Sequence, residues 1–273
     1  MISYKEILKT EQKKYINQWK NNAQYYYNKG YYDWMHSHIS KFKVILEVGC
    51  GNGLSTLTLL KNGHQVIVID ENIECLKQTK ALLKNNNYDA KIIKREGTFK
   101  EDSKGYEYNY LKIKNSIEKN QILLIQGDVL DDNNLEAWLS NINIDCVLCW
   151  LIGTHGARNL NKRISERNMQ TATDYRLVVE TNACNMCNKI LKPGAYLHLV
   201  DRGQNPNTQE DTNFYLQQYN QQISLTSLEL EEIDFKSFEP YVNDGMTLIG
   251  NVDNKIVNNT QDAAFISALF RKL

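Results

Sequence analysis

The chain has 273 residues, of which 42% are apolar and 23% charged, and its 32 lysines and arginines balance 32 aspartates and glutamates. That length allows one large domain or two small ones, either with a real core, and the composition is that of a globular protein. Zero formal net charge gives no reason to expect a polyanionic partner. No apolar run approaches a membrane span or a signal-peptide core, so a cytoplasmic protein is the default expectation.

Residues 1–40 are polar and aromatic, with Tyr25, Tyr26, Tyr27, Tyr31, Tyr32 and Trp34 gathered around Gly30. This predicts one or two helices, broken near Gly30, that cap the rest of the chain, residues 41–273. From Val44 the pattern changes. "VILEV" is a nearly continuous apolar run, as a strand covered on both faces should be. "LSTLTLLKNG" then reads as a helix ended by Gly63, "QVIVID" as a second buried strand, and "ENIECLKQTKALLKNN" as an amphipathic helix. Strand, helix, strand, helix in about forty residues is the pattern of a parallel sheet.

"AKIIKREG" and "YEYNYLKIK" flank a charged turn around residues 100–105, and we read an inserted β-hairpin near residues 90–119. Tyr106, Tyr108 and Tyr110 would share one strand face there, a candidate partner surface and a route to a homodimer. The core pattern resumes with "QILLIQGDVLDD", a helix around Leu135 to Leu139, and "IDCVLCWLIG". A long polar loop follows, then a helix from Leu177 to Ile190, the turn at Pro193-Gly194 and the strand "AYLHLVDR". Beyond a helical stretch near Asn213 to Gln222, "MTLIGNV" and "AAFISALFRKL" are expected to pair as closing strands.

The six cysteines include two C-x-x-C pairs, Cys146/Cys149 and Cys184/Cys187. Cys146 and Cys149, three apart on a strand, point to opposite faces and cannot chelate one ion together, while Cys184 and Cys187 read as neighbours on one helix face; buried structural thiols are expected and no metal site.

The loop Gly49-Cys50-Gly51-Asn52-Gly53 joins a buried strand to a helix, where a doubly wound fold binds its ligand. The dinucleotide pattern G-x-G-x-x-G/A is broken by Leu54, and no Gly-Lys-Ser/Thr follows as a triphosphate loop requires. Alternate glycines preceded by Glu47 instead suit a nucleoside with an amino-acid tail. Asp70, ending the second strand about twenty residues on, can accept hydrogen bonds from both ribose hydroxyls. Asp128 in "QGDVLD" suits an exocyclic adenine amine, with the backbone of Val129 on the ring.

Together these residues resemble class I S-adenosylmethionine (SAM)-dependent methyltransferases. "LEVGCGNG", "VIVID", "QGDVLD", "IDCVLCWL" and "LKPGAYLHLVD" occur in the family's order, from about residue 43 to 201. The resemblance implies an α/β fold with a doubly wound, seven-stranded, mostly parallel sheet, the last strand antiparallel and helices on both faces. It implies SAM as cofactor and S-adenosylhomocysteine (SAH) as product. Glu47, Gly49, Cys50, Gly51 and Gly53 would surround the methionine and ribose, and Asp70 with Glu71 would hold the ribose. Asp128 and Val129 would face the adenine, and Cys149 and Trp150 would line the floor. "CWLIGTHG" departs from the Asn/Asp-Pro-Pro-Tyr/Phe box of many amino-methylating DNA enzymes, which with zero net charge argues against nucleic acid.

Methyl transfer needs chiefly alignment, and a base only if the nucleophile arrives protonated. His155, in the loop after "CVLCW", is the candidate base, while His198 alternates within an apolar strand and is assigned no role. Tyr32, Trp34 and His36 on the cap and Arg158 in "ARNLNKRISER" are candidate acceptor contacts. The leading reading is a methyltransferase for a small molecule. The alternatives are a protein or RNA acceptor, met through the arginine loop, and a non-catalytic SAM-binding interaction module.

Overall fold

The computed structural model describes residues 2–114, 121–167, 169, 171–239, 250–252, 255–257 and 262–273. Helix α1 (Tyr4–Asn28) starts at a capping box, in which Ser3 and Glu6 satisfy each other's backbone N–H, and it ends before Gly30. Gly30 takes the left-handed conformation from which α2 (Tyr31–Ser37) departs. Then come β1 (Val44–Val48), α3 (Leu54–Lys61), β2 (Gln65–Asp70) and α4 (Ile73–Asn85), followed by β3 (Ala90–Ile93) and the hairpin β4 (Gly97–Asp102) and β5 (Gly105–Tyr110). The alternating core continues through β6 (Ile122–Gln126), α5 (Leu135–Leu139), β7 (Cys146–Trp150), a 3-10 turn (Gly156–Leu160), α6 (Lys162–Ser165), α7 (Ala172–Ile190) and β8 (Tyr196–Gln204). It closes with α8 (Gln209–Ile223), β9 (Leu228–Ser237), β10 (Gly250–Val252), β11 (Lys255–Val257) and β12 (Ala263–Lys272).

Eight strands form one sheet in the order β3-β6-β2-β1-β7-β8-β12-β9. The first six run parallel; β12 is antiparallel to β8 on one side and to β9 on the other. The reversal of strand order at β1 and β7 opens a crevice at the carboxyl ends of the strands, where such sheets bind ligands. Alternation along the strands builds two cores. Leu46, Ile67, Ile125, Val147 and Leu197 pack towards α5, α7 and α8, while Ile45, Val66, Val68, Leu124 and Leu148 pack towards α1 to α4.

The strand count is eight where seven were expected. The additional strand is Ala90–Ile93, read from sequence as part of the insertion; it pairs in parallel with β6 because Ala90 and Ile93 bury themselves against the sheet. The hairpin proper is Gly97–Tyr110, and residues 115–119 of the expected insertion lie outside the described residues. The closing strands also differ from expectation. β12 takes β9, "LELEEIDFKS", as its outer partner, while Gly250–Val252 pairs with β11. Residues 246–249 of "MTLIGNV" lie outside the described residues. β9 was legible as an alternating edge strand, its apolar residues turned inward between exposed glutamates.

The tyrosine face of β5 is not an open partner surface. Tyr106 is buried and stacks on Phe99, with its hydroxyl donating to the Ala157 carbonyl; the Tyr108 hydroxyl donates to the Arg95 carbonyl; and Arg95 sits over the Tyr110 ring. The hairpin lies against the segment after β7. Lys162 pairs with Asp102 and Glu107, and Arg163 donates to Asn109 and to the Tyr108 carbonyl. The cysteines are all free and buried. Cys149, Cys184 and Cys187 share one core, and among the described residues no group of His, Cys, Asp or Glu side chains could hold a metal ion. Nor is any described helix long and apolar enough to cross a membrane.

Candidate active site

A cavity lies over the carboxyl ends of β1, β2, β6 and β7 and is roofed by α1 and α2. Its floor is the glycine loop from Gly49 to Asn52, then Asp70 to Asn72, Gly127 to Val129, and Trp150 to His155; Tyr175 and Val179 of α7 close one side. The loop turns sharply enough to leave this floor open because Gly49 has φ near 80°, and a Cβ there would collide with Ile152.

Glu47 does not reach the cavity directly. It is buried behind the glycine loop and accepts hydrogen bonds from the Ser55 hydroxyl and, at 2.6 Å, from the Thr56 hydroxyl. Burial pushes its carboxyl up to about 7, those two bonds opposing the rise. Its effect is to anchor the first turn of α3 beneath the loop.

Asp70 lines the cavity. Its Oδ2 accepts from the Cys50 backbone N–H at 3.0 Å and its Oδ1 from the Asn72 N–H at 2.8 Å, so the aspartate ties the glycine loop to the end of β2. The N-cap of α4 is Asn72, whose side chain accepts from the Glu74 N–H. That leaves Asp70 facing the cavity. Burial, and then the neighbouring Glu71, push the Asp70 carboxyl up to about 7.

Glu71 and Asp128 belong to a buried network around Arg158. The guanidinium donates to Asp128 in a bidentate pair, at 2.6 and 2.9 Å, and lies 3.8 Å from Glu71. His155 Nε2 meets Glu71 at 2.8 Å, and Gln12 of α1 donates to the same carboxylate at 3.2 Å. Burial acts to raise the Glu71 carboxyl, but His155 and Arg158 more than reverse it and hold it at about 2. The ionised Glu71 accepts from His155 Nε2–H, and His155 Nδ1 is buried without a hydrogen-bond partner among the described residues.

The structure brings together on the cavity wall Gly49, Cys50, Gly51, Asp70, Glu71, Asp128, Val129, Trp150, His155 and Tyr32 of the residues singled out from sequence. Gly53 lies just behind, packed against Thr79 of α4. Besides Glu47, four residues fall elsewhere. Cys149 points to the opposite face of β7, into the core with Cys184 and Cys187, because strand side chains alternate. Trp34 packs on Phe265 and His38, and His36 meets His64 Nε2 to Nε2 at 2.8 Å, so neither touches the cavity. Arg158 is buried under the floor rather than presented to an acceptor. His198 is a core residue: Trp150 Nε1 donates to its Nδ1 at 3.0 Å, its Nε2 meets the Ser267 hydroxyl, and burial pushes its pKa down to about 3.

Sequence reasoning expected an N-terminal cap and named Tyr32 on it, but missed the part of the roof that α1 supplies. Tyr15, Trp19, Ala23 and Tyr26 line the cavity from α1, and their spacing of four, four and three is the helical stripe that could have revealed it. Tyr15 lies directly on Gly153, where any Cβ would strike its hydroxyl.

The chemistry of this wall fits SAM. The cavity passes the glycine loop, then the end of β2, then the end of β6, matching a tail, a ribose and an adenine in sequence. Asp70 is free of any cation and can accept from hydroxyls. Asp128 is less free. Of about four lone-pair positions on a carboxylate, its Oδ1 serves Leu130 N–H and Arg158, and its Oδ2 serves Arg158 alone, so one direction on Oδ2 remains for an amine.

Known proteins share part of this sequence and this fold. The family model described as methyltransferase small domain matches residues 33–111, less than a third of the chain, including the glycine loop and the end of β2. No curated protein matches the sequence. Among solved structures, geranyl diphosphate C-methyltransferase from Streptomyces coelicolor A3(2), bound to Mg2+, geranyl diphosphate and SAH, is similar with a TM-score of 0.50 at 8% identity, over 90% of this chain and 77% of that one. The N-methyltransferase NodS from Bradyrhizobium japonicum WM9, bound to SAH, gives a TM-score of 0.46 at 11% identity, over 90% and 87%. The [4+2]-cyclase SpnF gives 0.49 at 10% identity, over 88% and 79%. The family match falls on the loop that forms the cavity floor, and the fold around it is one that geranyl diphosphate C-methyltransferase also adopts.

Proposed function

We propose that the chain methylates a small molecule. The observation that carries this reading is the roof: α1 and α2 cover the strand ends with Tyr15, Trp19, Tyr26 and Tyr32, leaving a roofed pocket instead of a long open groove for a macromolecule. SAM supplies a methyl group already activated by the sulfonium charge. Asp70 would accept from the ribose hydroxyls, Asp128 Oδ2 from the adenine amine, and the glycine loop would let the backbone approach the amino-acid tail. Trp150, Ile152 and Gly153 would form the floor beneath the acceptor. His155, its ring oriented by Glu71, is the proposed base for an acceptor that arrives protonated. A cytoplasmic location belongs to the same reading.

The alternatives lose their support. Lys162 and Arg163 are engaged with the hairpin, and Arg158 with Asp128 and Glu71, which weakens an RNA or protein acceptor met through that loop. The buried Tyr106 weakens a partner-binding module and a dimer built on the hairpin. The test is the purified chain with methyl-labelled SAM in a lysate split into metabolite and macromolecule fractions, alongside thermal shift with SAH. Label in metabolites is expected; label only in protein or RNA would overturn the acceptor class, and no SAH shift would overturn the cofactor assignment.

A further inference from the structure

The acceptor part of the cavity has a chemical character of its own. Once the glycine loop and the aspartates are given to the cofactor, the remaining wall includes six rings, Tyr15, Trp19, Tyr26, Tyr32, Trp150 and Tyr175, alongside polar Ser55, Asn72 and Thr154. These six rings come from α1, α2, β7 and α7, elements far apart in sequence. Among the described residues no lysine or arginine lines the cavity, whereas Asp70, Glu71 and Asp128 all do.

Two guanidinium groups lie against wall rings, Arg158 by Tyr175 and Arg202 by Trp19. Arg158 is spent on Asp128 and Glu71 beneath the floor. Arg202 is buried, stands outside the lining, and lies 4.6 Å from the centroid of the Trp19 ring. A carboxylate or phosphate on the acceptor would therefore meet a wall to which, among the described residues, no lysine or arginine contributes. Aromatic faces do the opposite for a cation, since their negative π faces attract ammonium groups.

We infer that the acceptor is an amine carried on an apolar or aromatic skeleton and bearing no carboxylate or phosphate. This inference rests on the methyltransferase reading and narrows its substrate class. The rings would hold the skeleton and stabilise the ammonium form on entry. His155 is the group on the wall able to take the proton, because Glu71 accepts from its Nε2–H and its Nδ1 has no hydrogen-bond partner among the described residues. The deprotonated nitrogen then forms its bond to the methyl carbon as the carbon–sulfur bond breaks. The bonding pair stays on sulfur, giving SAH, and the proton leaves through His155 to water.

The test uses the full chain, SAM and matched acceptors that differ only in one group: arylalkylamines, the corresponding arylalkyl carboxylates and phosphates, and the corresponding phenols. SAH binding is first measured by thermal shift; its absence would sink the underlying cofactor reading, separately from this proposal. With binding present, methyl transfer to amines at least about tenfold faster than to any anionic counterpart is expected. Faster transfer to carboxylates, phosphates or phenols, or transfer to no amine in the panel, overturns the assignment. In Trp19→Leu the amine KM should rise about fivefold with the SAH shift retained, and Trp19→Phe should restore most of it. An unchanged KM in Trp19→Leu would remove the rings from acceptor recognition, and if that variant does not fold, the acceptor panel alone decides.

Discussion

Asp70 and Asp128 close two neighbouring parallel strands on the same cavity, and sequence alone treats them alike. Their surroundings are opposite. Among the described residues Asp70 meets backbone N–H groups and the thiols of Cys50 and Cys75, stands beside Glu71, and has its carboxyl pushed up to about 7. Asp128 is clamped by both guanidinium nitrogens of Arg158. The difference comes from a third region, the hairpin, which holds the segment from Gly156 to Ser165 against the end of β6 and so delivers Arg158 there. An insertion in one crossover thus decides which of two equivalent carboxylates remains open to ligand.

The comparison can be broken most directly at Arg158. Arg158→Ala leaves Asp128 and Glu71 buried without their cation and should destabilise the fold by about 3–5 kcal/mol, read by chemical denaturation. Adding Asp128→Asn should recover part of that loss. A midpoint unchanged by Arg158→Ala would show that the clamp is not needed to bury these carboxylates.

Cofactor binding should separate the two aspartates next. Asp70→Ala removes the acceptor for two ribose hydroxyls and should weaken SAH binding about a hundredfold, at about 1.5 kcal/mol or more for each hydrogen bond to a charged group. Asp128→Asn offers the amine one oxygen as before and should cost about tenfold or less. Calorimetry with SAH checks both, and equal losses would erase the distinction.

Acidity offers a smaller and more selective handle. An Asp70 carboxyl titrating at about 7 must be ionised to accept from both hydroxyls, so affinity is present above that pH and lost as pH falls through it. The SAH dissociation constant should rise about tenfold between pH 8 and pH 6. The same rise in Asp70→Asn would assign it to another group. Glu71, held at about 2, stays charged throughout that window and contributes nothing to the change.

The smallest effect is expected at the hairpin contact. Arg163→Ala removes bonds to Asn109 and the Tyr108 carbonyl at a partly exposed site and should cost about 1 kcal/mol. It should loosen the Arg158 segment enough to raise the SAH dissociation constant a fewfold. A larger loss of binding than of stability would show that the hairpin acts mainly by placing Arg158.

Local patterning determined much of this protein before any folding was seen. Continuous apolar runs ending in Glu47-to-Gly53, Asp70 and Asp128 marked buried parallel strands with ligand groups at their carboxyl ends, because backbone turns and strand ends carry chemistry wherever a sheet is covered on both faces. Strand alternation likewise placed Cys146 and Cys149 on opposite faces. It did not say which face looked onto the cavity, so Cys149 was assigned to the floor and only Trp150 is there. Tertiary structure alone decided the rest. The roof of α1, the pairing of β9 with β12, the edge position of β3 and the Arg158 clamp on Asp128 all join residues distant in sequence. A residue's type and local period show what it can bind, and only the packing of other elements against it shows whether that capacity is still free.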